Sequence, residues 1–184
     1  MSPATWAALT SSGPGLPAGQ RGNMLEIRKA SQADIPTIAK LARAIWPACF
    51  PIFLTDEQIK AMLDSIYAPD ALASEMQRGH VFWIASEQGK DLGFASAYMD
   101  DDGQTMWLKK LYIRPEAQCR GVGRALINAA LKHFTAATRI ALYVNQNNTP
   151  AISCYEHMGF AIDHEEAVKM GPFDFIDCVM IKRL

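Results

Sequence analysis

Between Thr105 and Phe134 the hydrophobic pattern changes period, and this change constrains the fold more than any other feature of the chain. TMWLKKLYI (105–113) alternates as a strand does, with Met106, Leu108 and Tyr112 on one face and Trp107, Leu111 and Ile113 on the other. Pro115 stops it. From Gly121 to Phe134 the apolar residues Leu126, Ile127, Ala130, Leu131 and Phe134 recur at helical spacing. A strand that feeds a helix through a glycine-bearing turn, QCRGVGR (118–124), is a unit of α/β architecture.

The remaining segments extend that reading. LEIRKA (25–30) is a first strand, followed by a helix with Ile35, Ile38, Ala42 and Ile45 in a stripe; Pro36 fits its first turn and Pro47 ends it. TDEQ (55–58) is a capping-box pattern at the head of a second helix, and PDALASEMQRG (69–79) is a third, stopped by Gly79. Of the large apolar residues here, Trp46, Phe50, Phe53, Met62 and Tyr67, most belong to the core and a minority to a pocket wall. VFWIAS (81–86) and LGFASAY (92–98) form a hairpin through EQGKD. IALYV (140–144) is a buried strand, residues 150–158 a short helix ended by Gly159, and FAIDHEEAV and FIDCVMIKRL two closing strands. The order β-α-α-α-β-β-β-α-β-α-β-β predicts a single mixed α/β domain over 24–184.

Residues 1–23 differ in composition, with three prolines, four glycines and one charged side chain, Arg21. They read as a flexible leader, without the basic start and apolar core of a secretory signal. The chain has 184 residues and net charge −1, so no global basic excess points to nucleic acid. No apolar run approaches the ~18 residues of a transmembrane helix. Four dispersed cysteines, 49, 119, 154 and 178, form no CxxC pair and read as free thiols of a reducing cytoplasm. No histidine is assigned to a metal.

The turn at 118–124 is an anion cradle. A helix N-terminus presents unpaired amides and a partial positive charge, Gly121 and Gly123 let a ligand approach the backbone, and Arg120 and Arg124 add charge. GxxxxGK[ST] is absent, which disfavours a P-loop hydrolase. GxGxxG is absent as well, because Leu126 stands where the third glycine would be, which disfavours a dinucleotide site.

QCRGVG resembles the [Q/R]xxGx[G/A] signature of the GCN5-related N-acetyltransferase (GNAT) family. LYVNQNNTPAISCYEHMGF (142–160) resembles the family's later motif, with Asn148, Ala151, Tyr155, Gly159 and Phe160 at its spacing. The helices at 50–78 and LYIRPEAQ look closest to bacterial polyamine N-acetyltransferases. The resemblance implies a central sheet whose strands 105–113 and 140–144 splay apart, and acetyl-CoA as co-substrate with no metal. Its pyrophosphate would lie on Gln118, Cys119, Arg120, Gly121, Val122, Gly123 and Arg124. Its pantetheine arm would pair with the backbone of Leu111, Tyr112 and Ile113, and Asn148, Ala151 and Tyr155 would complete the site. Cys119 then offers backbone, not chemistry.

The resemblance further implies that the Leu111 amide polarises the thioester carbonyl and that Tyr155 protonates the departing thiolate. Many relatives carry a glutamate where this chain has Trp107, whose indole cannot act as a base. A water chain, Tyr98, Asp100, Glu26 and His80 stay open as alternatives, as does an amine of lowered pKa that needs little help. The acceptor that the resemblance implies is a primary amine of a small molecule or peptide. The acidic clusters Asp100–Asp102 and Asp163–Glu166 read as solvated turns, or alternatively as attractors of a cationic amine such as a polyamine. The acceptor would be selected by the 46–78 helices and the 169–174 loop. An acyl-CoA-binding regulator without efficient catalysis is the competing reading, and the choice between monomer and homodimer stays open.

Overall fold

The computed structural model describes residues 7–8, 24–50, 54–170 and 173–184. In chain order the elements are β1 (Ala7–Ala8), β2 (Leu25–Lys29), α1 (Ile35–Cys49), α2 (Asp56–Ile66), α3 (Pro69–Gln77), β3 (Val81–Glu87), β4 (Lys90–Met99), β5 (Thr105–Ile113), α4 (Val122–His133), β6 (Arg139–Asn145), α5 (Thr149–His157), β7 (Ala161–Met170) and β8 (Phe173–Arg183). Apart from β1 this is the predicted order. Phe53 and most of the 1–23 leader lie outside the described residues, as do two residues of the 169–174 loop.

One mixed sheet runs β2-β3-β4-β5-β6-β8-β7, and β1 pairs with β5 off that path. β5 and β6 are parallel and pair only through Thr105↔Arg139, Met106↔Ile140 and Trp107↔Ala141. Beyond Trp107 they part. This is the splay of parallel strands that the family resemblance implied.

Two cores cover the two faces of the sheet. Under α4 lie Met106, Leu108, Leu111, Ile113, Leu126, Ile127, Ala130 and Tyr155. Under α1–α3 lie Ile38, Ile45, Trp46, Phe50, Tyr67, Phe82, Phe94 and Tyr112. The aromatic rings of the second core meet edge-on or tilted, as Trp46–Phe50 at 4.9 Å and Phe94–Tyr112 at 5.4 Å.

Three local expectations are corrected. Leu111 and Ile113 share the α4 face with Met106 and Leu108, while Tyr112 faces α1–α3. The cause is a β-bulge: Ser96 pairs Lys110 and Ala97 pairs Leu108, so Lys109 is an extra residue that reverses the alternation after it. Pro47 does not end α1, which continues to Cys49. In the last turn a proline forfeits a single backbone bond, and the Phe50 amide still donates to Trp46 O at 3.0 Å. The β3–β4 connection is a two-residue turn at Gln88 (φ 52°) and Gly89 (φ 73°), tighter than EQGKD suggested; two successive positive φ values match the twist of a hairpin.

Candidate functional site

The loop between β5 and α4 is held by its own side chains. Gln118 is buried, and its Nε2–H donates to Ile113 O at 3.0 Å, which ties the loop to the end of β5. Cys119 (φ 57°) and Gly121 (φ 83°) take left-handed backbone, and Gly121 caps α4. A Cβ added at Gly121 would meet nothing within 4 Å, so glycine is needed there for its φ, not for space. Alternating backbone hands of this kind turn successive amides to one side and form an anion-binding concavity at the helix start. Val122 is buried and anchors the first turn of α4 in the core.

The two arginines have different settings. Arg120 pairs with Glu87 at the end of β3, Nη2 to the two carboxylate oxygens at 3.0 and 2.8 Å. Arg124 lines a cavity of about 300 Å³ between α4 and α5, together with Asn128, His157 and Lys182.

Where β5 parts from β6, the side chains of Leu111, Tyr112 and Ile113 are buried in the two cores, so what this edge offers is backbone. β1 takes it. Ala7 pairs with Leu111 and Ala8 with Tyr112 in parallel register.

Tyr155 reaches this region from α5. Asn148 caps that helix, its Oδ1 accepting from the Ala151 amide at 3.3 Å, and Ala151 is fully buried. Tyr155 is itself fully buried, 5.4 Å edge-on to Phe160, and its hydroxyl has no hydrogen-bond partner among the described residues. Burial, with smaller contributions from Cys154 and Tyr112, pushes the phenol well above its ordinary range and keeps it protonated.

The α1–α3 side of the gap has a wall of aromatic rings and acids. Trp107 stacks on Tyr143 with centroids 4.9 Å apart. The Trp107 Nε1–H donates to Asp100 at 3.1 Å, and the Tyr143 hydroxyl donates to Glu166 at 2.9 Å. One member of each acidic cluster noted in the sequence therefore meets this ring pair. Asp102 instead holds its own turn through Thr105 and Arg139.

The sequence-derived base candidates divide by position. Glu26 is exposed on β2 and separated from β5 by β3 and β4. Asp100 accepts from the Trp107 indole. Burial and Asp100 push the Tyr98 phenol up to about 12. His80 stacks on Tyr98 at 4.5 Å, and burial draws its imidazole down to about 4, so it is neutral at pH 7. What the sequence reading passed over is a set of buried charges, Glu75, Lys109, Lys110 and Asp177. The signal was the KK pair inside an otherwise apolar strand.

Comparison with known proteins gives these features a context. The model of the acetyltransferase (GNAT) family matches residues 37–160. A spermidine N(1)-acetyltransferase of Thermoplasma acidophilum is 25% identical over 151 residues, covering 76% of this chain and 89% of its own. A peptidyl-lysine N-acetyltransferase of Escherichia coli is 26% identical over 148 residues, covering 74% and 83%. Among solved structures, the PaiA N-acetyltransferase of T. acidophilum in complex with coenzyme A superposes with a TM-score of 0.75 at 24% identity, over 88% of this chain and 99% of that one.

Proposed function

The chain belongs to the acetyltransferase (GNAT) family, and from that premise we propose that it moves an acetyl group from acetyl-CoA directly to the primary amine of a basic small molecule or peptide. The observation that carries this reading is the parting of β5 from β6 after Trp107↔Ala141, at the strand that leads into the Cys119–Gly121 amide cradle. The edge of β5 accepts an extended chain, as its pairing with Ala7–Ala8 demonstrates, and a pantetheine arm is an extended chain with amide donors and acceptors. β1 must leave that edge when the arm is bound.

Acetyl-CoA supplies an activated thioester, and the chain's own groups act around it. The Cys119–Gly121 amides and the α4 N-terminus would hold the pyrophosphate, with Arg124 near it. The Leu111 amide would donate to the thioester carbonyl and stabilise the charge that develops there. Tyr155 would hold a proton for the sulfur. Its raised pKa keeps that proton in place at neutral pH, and its lack of a partner among the described residues leaves the hydroxyl available.

The acceptor class rests on the wall opposite. Stacked Trp107 and Tyr143, flanked by Asp100 and Glu166, suit a cation, because ring faces and carboxylates both attract positive charge. The relatives named for spermidine and for peptidyl lysine act on aliphatic amines, in line with this. The test is in two steps: thermal stabilisation by acetyl-CoA, then release of coenzyme A thiol with spermidine, a lysine-bearing peptide and an aryl amine in parallel. Turnover of spermidine or the peptide is expected. Stabilisation without thiol release from any amine would replace the reading with acyl-CoA binding alone.

A further inference from the structure

β5 carries Lys109 and Lys110 side by side, and both are buried. Strict alternation would send neighbours to opposite faces. The bulge at this point places both on the α1–α3 side instead. The Lys110 Nζ meets both Glu75 oxygens there, at 2.7 and 2.6 Å, over the rings of Tyr67 and Phe82. Lys109 has Glu75 and Arg78 of α3, Lys110, and Asp177 of β8 as its charged surroundings, with His80 also within electrostatic reach. Asp177 alternates with Cys178 and Met180, which pack under α4, so it too lies on the α1–α3 side.

Lys109 therefore lies, buried, on the stretch of β5 that has parted from β6. It follows Trp107↔Ala141, the last pair joining β5 to β6, by two residues. It precedes Leu111 by two more, about 7 Å along a strand. Tyr155 comes from the opposite face. In the proposed reaction, on which this inference rests, a thioester beside Leu111 would have Lys109 on the acceptor side and Tyr155 on the other.

We propose that Lys109 is the group that takes the proton released by the acceptor amine. The amine nitrogen bonds to the acetyl carbon and the C–S bond breaks. The nitrogen gives one proton to the neutral Lys109 amine, and the sulfur takes one from Tyr155. The proton gained by Lys109 equals the one lost by Tyr155, and both groups regain their starting forms before the next turnover, so atoms and charge balance. Burial foremost, then Lys110, draws the Lys109 amine down to about 7, with Arg78 acting in the same direction and Glu75 and Asp177 opposing. A base serves best when its pKa lies near the working pH.

The test is the pH profile of kcat/KM for the full chain, with acetyl-CoA and two acceptors, spermidine and an aryl amine that is already the free base across the range. The wild type is expected to show an ascending limb near pH 7 with both acceptors; absence of the limb with the aryl amine overturns the proposal whether or not any variant folds. Lys109→Met and Lys109→Arg are expected to lose that limb and about 10²–10³-fold in kcat/KM at pH 7, with the acetyl-CoA KM little changed. Arginine keeps the cation and cannot give up its proton, so rescue by Lys109→Arg would mark a structural role and overturn the proposal. Wild type that stabilises with acetyl-CoA yet turns over no amine would overturn the acetyl-transfer reading itself. Active wild type with unaltered Lys109 variants would overturn this assignment alone.

Discussion

Lys110 on β5 and Glu75 on α3 form an ion pair sealed between sheet and helices, Nζ to Oε2 at 2.6 Å, with 3% and 7% of the side chains exposed. Removing one partner of such a pair leaves a charge with neither water nor counter-ion. Glu75→Ala is therefore expected to lower unfolding free energy by about 3–5 kcal/mol, read from the denaturant midpoint. The double variant Glu75→Leu with Lys110→Met should recover most of that loss, since two apolar groups of similar volume need no compensation. A single variant as stable as the wild type would show that the pair is hydrated in solution.

Tyr155→Phe separates binding from chemistry. The ring packs against Phe160 and is fully buried, so phenylalanine keeps the contact and removes only a hydroxyl that has no partner among the described residues. Stability should stay level or rise slightly, because an unpaired buried hydroxyl is lost. kcat should fall about 10²-fold or more, with little change in the acetyl-CoA KM. An unchanged kcat would remove Tyr155 from the proton pathway.

His80 gives a pH signature in stability. Its imidazole is drawn down to about 4 in the fold, chiefly by burial, against an ordinary value of ~6.5 in the unfolded chain. Between these values the unfolded state binds more protons. Stability is therefore fully present above pH ~6.5 and is lost as pH falls toward 4. Chemical denaturation at pH 7, 5.5 and 4.5 should show this decline, and His80→Asn should flatten the part of it that His80 causes. An equal slope in wild type and variant would place the acid sensitivity elsewhere.

Much of this architecture was legible because local rules and tertiary packing agree. Thr55 and Gln58 form the capping box that TDEQ announced, and Gly79 and Gly159 end their helices at φ 90°. The Gly121 turn was legible because glycine at a helix start has few reasons to be there. What escaped was set by one inserted residue. A bulge opposite Ser96 and Ala97 is a property of two strands, not of either sequence, and it decided which face Lys110, Leu111 and Ile113 occupy. The convergence of Asp100 and Glu166 on the Trp107–Tyr143 pair escaped for a similar reason. Those residues lie on or beside β4, β5, β6 and β7, and strand order is not written in spacing.

Ala7 and Ala8 pair with Leu111 and Tyr112 along the β5 edge that the pantetheine arm would take in the proposed reaction. Two occupants of one backbone edge compete, and the internal one is present at a fixed effective concentration. A net contribution of about 1–2 kcal/mol from a two-residue ladder would weaken apparent acetyl-CoA affinity roughly 5- to 30-fold. A variant lacking residues 1–22 should therefore bind acetyl-CoA that much more tightly by calorimetry, with kcat at saturation unchanged. A synthetic peptide of residues 1–22, added to the shortened chain, should raise the acetyl-CoA KM and leave kcat alone, the pattern of competition for one site. Equal acetyl-CoA affinity in the full and shortened chains would mean that β1 leaves the edge at no measurable cost.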